Sequence, residues 1–314
     1  MNPLKNKMFL RALGILIFLI ILLKLDIEKT TQILRQLNIR YFLLALTLFI
    51  PHLFFKIYRW HKVLQYQRIK IKFTKIIHPY IGTYGLGIIT PWKVGELARI
   101  FYLRKKKVSL GAAAFSILTD RLFDVLFFLI IGTASMFLLF TYFKDYLMAV
   151  SIILIIGVIL MALIIYNRHK VFRFASNFFI PNKIKEKTKI TAKEMWDELK
   201  KLKFISYIEL LSITALSMVF FYFEVYLFSI ALNISLSFWQ VIILVSIASI
   251  ANLLPITVSG IGTRDATFVF LFSIFGLASE QAIALSLLIL FMWAINALFC
   301  MVFWWEKPIE FSNS

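Results

Sequence analysis

Long apolar runs separated by short basic loops make up most of this chain, and no other feature constrains its fold as strongly. Apolar and aromatic residues account for 61% of the 314 positions, and the mean hydropathy is +0.85, far above that of soluble domains. Lipid tails offer no hydrogen bonds, so a broken helix or a charge at membrane depth persists only in a protein interior or a wet cavity. Runs of this length predict an all-α polytopic membrane protein.

Six of the runs predict full transmembrane helices, because about 20 apolar residues in a helix span the hydrocarbon core. In chain order they are about Met8–Leu23, Tyr41–Tyr58, Ser109–Phe143, Tyr146–Tyr166, Phe204–Leu232 and Gln281–Trp305. The first has a basic lead like that of a signal peptide, but no small-x-small cleavage site follows it. We therefore expect the first run to be retained as a helix.

Two further apolar runs are each interrupted by a proline and by charged residues. Ile76–Leu103 breaks at Pro91, and Phe238–Ala278 breaks at Pro255. Both flanks of the first run are basic, and a re-entrant hairpin keeps them on one side of the membrane. An ordinary crossing followed by an interfacial helix is the alternative. The pattern predicts two re-entrant broken-helix hairpins, one in each half of the chain.

The formal net charge of +19 gathers in a few loops beside the apolar runs. Segment Asn167–Lys203 has eleven Lys or Arg against four acids and is expected to form one or two amphipathic helices on the cytoplasmic face. The loop after the second span is expected to contain Lys56, Arg59, Lys62, Arg68, Lys70, Lys72 and Lys75. Because basic loops stay cytoplasmic, both termini are predicted to be cytoplasmic. Membrane orientation, rather than nucleic-acid binding, explains this charge.

The two halves of the chain repeat one plan in opposite orientations. Each has a full span, a hairpin and a second full span, over about residues 41–143 and 204–305. Hairpins that open toward opposite sides of the membrane are typical of inverted repeats. We therefore expect residues 1–314 to form a single membrane domain, with 167–203 as its cytoplasmic segment.

Charged residues coincide with the helix breaks, and this coincidence predicts a binding site. The candidate site residues are Pro91, Gly95, Glu96, Arg99, Asp120, Arg121, Asp124, Glu224, Pro255, Gly260, Gly262, Arg264 and Asp265. We expect Asp120, Arg121 and Asp124 to lie at the cytoplasmic rim or in the cavity. Glu224 lies inside its span without a nearby partner in sequence. It could pair with Arg264 or Arg121, or it could carry protons.

The sequence predicts no metal ion and no cofactor. Its four histidines (His52, His61, His78 and His169) show no ligand spacing. It contains no Gly-x-x-x-x-Gly-Lys-[Ser/Thr] phosphate-binding loop, which argues against an ATP-driven pump, and no Gly-x-Ser-x-Gly nucleophile motif. An intramembrane enzyme that uses Glu96 or Asp265 as a base stays open as an alternative.

Three motifs resemble those of the lysylphosphatidylglycerol synthase transmembrane-region family, also called flippase-like membrane proteins. They are Pro91-x-x-x-Gly95-Glu96-x-x-Arg99, Asp120-Arg121-x-x-Asp124, and the segment from Pro255 through Gly260-x-Gly262-x-Arg264-Asp265. The motifs occur in the family's order and together extend over most of the chain. Asp265 stands where the family more often has Glu, and residues 256–259 stand where it more often has glycines.

The resemblance implies a translocator of a phospholipid or polyprenyl-linked lipid precursor in the cytoplasmic (inner) membrane. Because the sequence ends at Ser314, we expect no C-terminal aminoacyl-transfer domain like that of the full synthases. That expectation argues against lysylphosphatidylglycerol synthesis and favours a protein that is not an enzyme. The alternatives are a non-transporting accessory subunit of a lipid-modifying enzyme or glycosyltransferase, and an intramembrane lipid enzyme. A homo-oligomer and a complex with a partner enzyme both stay open.

A lipid translocator must replace the water around a polar headgroup with fixed protein groups. Helix breaks supply unpaired N–H groups, and arginine adds bidentate contacts to phosphate. On this hypothesis Arg99, Arg121 and Arg264 contact a lipid phosphate, and Arg99 and Arg264 share one central site. The acids that balance them, or that take up a cationic headgroup or a proton, are Glu96, Asp120, Asp124 and Asp265. The alternative is that acids and arginines only pair and hold the helices together.

Overall fold

The computed structural model describes residues 27–139, 141–142, 182–253 and 261–306, and all regular secondary structure in these ranges is helical. In chain order the helices are α1 (Ile27–Arg35), α2 (Ile39–Thr47), α3 (Phe49–Tyr66), α4 (Phe73–Ile89), a 3-10 helix (Pro91–Ala98), α5 (Arg99–Lys105), α6 (Leu110–Leu138), α7 (Asn182–Leu199), α8 (Phe204–Ala231), α9 (Phe238–Ala251), α10 (Thr263–Ile274) and α11 (Ser279–Glu306). The predicted all-α class is therefore confirmed for these ranges.

Within these ranges, four helical stretches are long and apolar enough to cross a membrane, namely α2 continued by α3, α6, α8 and α11. Each contains 28 or 29 residues, and a helix of that length extends for about 42 Å, beyond the hydrocarbon core of a bilayer. They correspond to four of the six predicted spans. The other two predictions, Met8–Leu23 and Tyr146–Tyr166, lie outside the described residues. The polytopic membrane fold is confirmed.

The span predicted to end at Tyr58 continues as α3 to Tyr66. Lys56 and Arg59, which the sequence placed in the following loop, are buried inside the protein. That placement was wrong, because both side chains have acidic partners on another helix. The loop between α3 and α4 is correspondingly short.

The first predicted hairpin is present in the backbone. α4 ends at Ile89, Thr90 is extended (φ −99°, ψ 142°), and the 3-10 helix returns along α4. Near the base of the hairpin, Tyr102 Oη donates to the main-chain oxygen of Lys75 at 2.8 Å. Near the tip, a Cβ added to Gly95 would lie 2.5 Å from the carbonyl carbon of Leu86. Both ends of the interrupted run therefore lie side by side.

The second interrupted run forms α9 and α10, which pack against each other. The expected break at Pro255 and Gly260 falls in residues 254–260, outside the described residues. α10 begins directly after Gly262, whose φ of 92° is readily adopted only by glycine. This glycine is therefore required for the turn that enters α10.

α11 packs tightly on α4 at small residues. A Cβ added to Gly85 would lie 2.7 Å from Cys300 Cβ, and one added to Gly82 would lie 3.2 Å from Trp304 Cα. Small residues let membrane helices approach closely and gain van der Waals contact. The first hairpin is thus fixed against the last span.

α7 lies within the predicted segment 167–203 and packs on the beginning of α6. The Gly111 N–H donates to Glu194 Oε2 at 2.8 Å. Met195 and Leu199 pack against a hydrophobic cluster that includes Phe115. The described part of this segment is therefore attached to a spanning helix.

Candidate functional site

Two pairs of opposite charges meet between α3 and α6. Lys56 and Arg59 lie about one turn apart on α3, and Asp120 and Asp124 lie about one turn apart on α6. Lys56 Nζ is 2.6 Å from Asp124 Oδ2, and Arg59 Nε donates to Asp120 Oδ1 at 2.8 Å. All four side chains are buried. These ion pairs join two spanning helices in a region shielded from water.

Arg59 is hydrogen-bonded through all of its nitrogen atoms. Nη1 donates to Asp124 Oδ1 and to Thr214 Oγ1, both at 2.8 Å. Nη2 donates to the main-chain oxygen of Asp120, also at 2.8 Å. Thr214 belongs to α8, so one guanidinium connects three helices. A buried charge is tolerated when it is paired and fully hydrogen-bonded, and this geometry matches the hypothesis that Asp120 and Asp124 hold helices together.

The first helix break adds its own acid and arginine to these pairs. Arg99 Nη2 donates to Glu96 Oε2 at 2.6 Å, and its Nη1 donates to Asp120 Oδ2 at 3.1 Å. The guanidinium carbon lies 4.3 Å from the Tyr80 ring centroid and 5.0 Å from that of Trp60. A cation over an aromatic face is stabilised by the ring quadrupole. The hairpin is therefore docked on α6 by the Arg99–Asp120 ion pair and on α3 by the contact of Arg99 with the Trp60 ring.

Arg121 is the least saturated charge of the group. Its guanidinium contacts the Glu96 carboxylate, and Nη1 is 3.4 Å from Asp124 Oδ2. Its side chain is 21% exposed, whereas the Arg59 and Arg99 side chains are 1% exposed. Arg121 Nε and Glu96 Oε1 are buried without a hydrogen-bond partner among the described residues. The Arg121–Glu96 pair therefore retains a hydrogen-bond donor and an acceptor that are not in use.

These seven residues form one connected set, which we call the ion network. Its members are Lys56, Arg59, Glu96, Arg99, Asp120, Arg121 and Asp124. Four cations and three carboxylates leave a formal charge of +1 (4 − 3). Lys93, which is exposed on the 3-10 helix with a left-handed φ of 58°, lies within electrostatic range of Arg121. The network is therefore positive on the side where it is least enclosed.

A second charged cluster lies at the beginning of α10. Asp265 Oδ2 accepts from the Gly262 N–H at 2.7 Å, and its other oxygen accepts from the Ser286 hydroxyl. Arg264 Nε donates to Ser286 Oγ at 2.7 Å, and its guanidinium carbon lies 5.1 Å from the Trp293 ring centroid. Arg264 Nη1 is buried without a partner in the described ranges. Asp265 therefore caps α10 while Arg264 keeps a free donor.

The two clusters are separate in the described structure. No hydrogen bond or ion pair between described residues joins Arg99 to Arg264. Trp293 precedes Cys300, the neighbour of Gly85 on α4, by seven residues, a rise of about 10 Å along α11. No bond between the two arginines forms the expected shared site, and a site that they share through a bound headgroup stays a prediction.

The remaining candidates differ in how the structure accounts for them. Gly95 allows the 3-10 helix to lie against α4. Pro91 begins the 3-10 helix, while Pro255 and Gly260 lie outside the described residues. Glu224 is 1% exposed and forms no ion pair with any residue that the structure describes. Its suggested pairing with Arg264 or Arg121 is not observed.

Lys56 and Arg59 belong to the network but were not among the predicted site residues. The signal was a pair of basic residues one turn apart on α3, matching a pair of acids one turn apart on α6. Hydropathy alone assigned the basic pair to a loop. Within the described ranges, no group of His, Cys, Asp and Glu has the arrangement of a metal site.

Comparison with known proteins gives two matches. The family described as the lysylphosphatidylglycerol synthase TM region matches residues 10–299. A UPF0104 membrane protein, PH1989 of Pyrococcus horikoshii, is 27% identical over 126 residues. That match covers 38% of this chain and 37% of the relative, so it spans little more than a third of either protein.

Proposed function

The chain belongs to the lysylphosphatidylglycerol synthase transmembrane-region family, and we propose that it moves a phospholipid or polyprenyl-linked lipid precursor across the cytoplasmic membrane. The family region is a membrane domain, and the described helices provide four candidate spans. Transport of a lipid requires a polar path for the headgroup beside an apolar path for the tails. The ion network and the hairpin are our candidates for the polar path.

The excess positive charge of the ion network carries this proposal. Arg121 is partly exposed, has an unpartnered Nε and belongs to a network with a charge of +1. A phosphate would neutralise that charge and accept a hydrogen bond from Arg121 Nε. Guanidinium groups bind phosphate with charge-assisted hydrogen bonds. Lys93, which is exposed and within electrostatic range of Arg121, adds a further cation. The class of ligand that fits beside Arg121 is an anionic headgroup.

Glu96 competes with the headgroup phosphate for Arg121 and so allows the headgroup to be released. Its carboxylate contacts both Arg99 and Arg121, and its second oxygen has no partner among the described residues. On this proposal Arg121 exchanges the Glu96 carboxylate for the lipid phosphate and returns to it on release. A partner that competes in this way keeps Arg121 paired in both states, which limits the cost of desolvation.

On this proposal Arg264 and Asp265 form a second binding site for the headgroup, after the one at Arg121. We assign the two clusters to two inverted repeats, about residues 41–143 and 204–305, within one membrane domain. Interrupted helices in corresponding positions of two halves are the usual location of transport sites. The basic loops support a topology with both termini and segment 167–203 in the cytoplasm.

Reconstitution tests the proposed function directly. Purified protein is placed in vesicles of total membrane lipid that contain fluorescent phosphatidylglycerol, and a membrane-impermeant quencher reports the lipid in the outer leaflet. We expect the inner-leaflet fluorescence to become accessible faster than in empty vesicles or in vesicles with an unrelated multi-pass protein. Rates equal to those of both controls would overturn phospholipid movement, and the same assay with a fluorescent polyprenyl phosphate lipid tests the other class.

A further inference from the structure

An apolar groove lies beside the first hairpin, and no member of the ion network lines it. It has a volume of about 560 Å³ and runs between α4, the 3-10 helix, α5 and the beginning of α6. Its lining includes Leu86, Val94, Leu97, Phe101 and Leu110. Pockets of this size hold ligands with tens of atoms. The lining is almost entirely carbon, so its ligand must be apolar over the buried length.

The groove is open along the side of the protein. Val94, Phe101 and Leu110 are 53%, 41% and 43% exposed. Gly95 closes its floor, because the 3-10 helix lies directly on the backbone of α4 at this position. The charged neighbours Glu96 and Arg99 do not line the groove. In a membrane-spanning domain, a groove of this kind faces lipid tails.

One end of the groove lies next to a turn that is entirely basic. Arg104 and Lys105 end α5, Lys106 and Lys107 follow in the loop that leads to α6, and all four are exposed. Leu110, which lines the groove, is the first residue of α6. We call residues Arg104–Lys107 the basic turn. An amphipathic ligand with its tail in the groove would place an anionic head against these cations.

Lys107 occupies a backbone position where glycine is normal. Its φ is 60°, its N–H donates to the Arg104 oxygen at 2.9 Å, and the Val108 N–H donates to the Leu103 oxygen at 3.2 Å. This pair of bonds is the Schellman motif, in which the left-handed residue is usually Gly, sometimes Asn. A left-handed lysine costs backbone energy that glycine would avoid.

The same motif ends three other helices in the described ranges, and their residues make an informative comparison. α8 ends with Asn233 (φ 55°) and α10 ends with Gly276 (φ 72°), the two residue types expected there. α3 ends with Arg68 (φ 63°). Gln67, beside it, donates to the Ala112 oxygen near the start of α6. The cationic caps therefore occur at the end of the molecule that carries the basic turn.

We propose that the groove binds one acyl chain of an anionic phospholipid, with the lipid phosphate held at the basic turn. The apolar lining selects the tail, and the exposed cations select the charge of the head. Lysine at position 107 is explained by that charge, since the backbone there favours glycine. This site is distinct from the ion network and does not depend on whether the protein moves lipid.

Lipid binding to defined variants tests the site. Wild-type protein is stripped of lipid in detergent, titrated with phosphatidylglycerol or phosphatidylcholine, and examined by native mass spectrometry. Lys107→Gly removes one charge and relieves the left-handed backbone, so it should melt no lower than wild type. Its control is Asn233→Gly, which relieves a matching cap without removing a charge. Val94→Trp fills the groove, and Leu216→Trp, at an exposed position of α8, controls for bulk.

We expect Lys107→Gly to bind phosphatidylglycerol about fivefold more weakly, with unchanged binding of phosphatidylcholine, so that its preference for the anionic lipid falls by the same factor. Val94→Trp should lose the tightly bound lipid, and both controls should behave as wild type. Unchanged binding in Lys107→Gly and Val94→Trp would overturn the site. Weaker binding in Lys107→Gly alone would also overturn it, because diffuse surface charge would then suffice. Loss in Val94→Trp without any preference for phosphatidylglycerol would overturn the role of the phosphate.

Discussion

Arg59 and Arg121 belong to the same ion network but differ in how fully their nitrogen atoms are used. Arg59 donates to two carboxylates, a hydroxyl and a main-chain oxygen. Arg121 has an unpartnered Nε among the described residues and is partly exposed. Saturated buried arginines hold structure, because nothing remains to bind a ligand. The contrast separates a structural arginine from a candidate ligand-binding one.

Arg59→Ala should destabilise the protein strongly. The change leaves Asp120 and Asp124 buried beside an empty space, and breaking a buried pair in this way costs about 3–5 kcal/mol. The melting temperature in detergent measures the effect. Lys62→Ala is the matched control on the same helix, since its pair with Glu209 is partly exposed and is worth about 0–1 kcal/mol. Equal melting temperatures for the two variants would contradict this assignment of Arg59.

Arg121→Ala should slow lipid movement and lower the melting temperature less than Arg59→Ala does, because the Arg121 side chain is partly exposed and Glu96 keeps its pair with Arg99. Loss of a charge-assisted contact to phosphate predicts a decrease of about tenfold or more. Arg121→Lys should be intermediate, because it keeps the charge but not the planar fork. Lys200→Ala, an exposed residue of a surface pair, is the control. A normal rate for well-folded Arg121→Ala would remove Arg121 from the transport path.

At the scale of helices, the first hairpin could be predicted from its two basic flanks and from Pro91. The length of α3 could not, because Lys56 and Arg59 look like loop residues until their partners on α6 are known. A charge in an apolar run is read correctly only when the opposite charge is located on another helix. Within one candidate span, α2 ends at Thr47 and α3 begins at Phe49, while Leu48 between them keeps a right-handed helical backbone (φ −69°, ψ −16°).

Gly95→Ala should disturb the hairpin more than Gly82→Ala. The added carbon at position 95 would lie 2.5 Å from main-chain atoms of Leu86, whereas at position 82 the nearest atom is 3.2 Å away. Overpacking against backbone costs about 1–3 kcal/mol. Thermal unfolding in detergent provides the comparison. If Gly82→Ala is the more damaging change, the close approach of the 3-10 helix to α4 is not what fixes the hairpin.

At the scale of the whole molecule, the distribution of basic residues determines the proposed orientation. The net charge of +19 in a chain with 61% apolar residues favours one face for the loops that carry it. The structure brings Lys75 and Tyr102 together at the base of the hairpin, which agrees with basic flanks on a single side. The location of both interrupted segments was predictable from composition, but the separation of their charged clusters depends on tertiary packing.

Cysteines at positions 72 and 106 should react from the same side of the membrane. The background is Cys300→Ala, which removes the buried native thiol. Because Lys72 and Lys106 flank the hairpin base, an impermeant thiol reagent should label both in inside-out vesicles and neither in intact cells. Labelling from opposite sides would mean a full crossing between α3 and α6.

Substitutions in the two charged clusters should combine differently in transport and in stability. Arg121 and Arg264 share no partner in the described structure, so their effects on melting should add, as expected for distant sites. Lipid movement, in contrast, should be nearly as slow in Arg121→Ala or Arg264→Ala as in the double variant, since on the proposed function one headgroup must pass both clusters. Vesicle assays and melting curves on the same four proteins provide the comparison. A double variant whose transport loss is the product of the single losses would place the two arginines on independent paths.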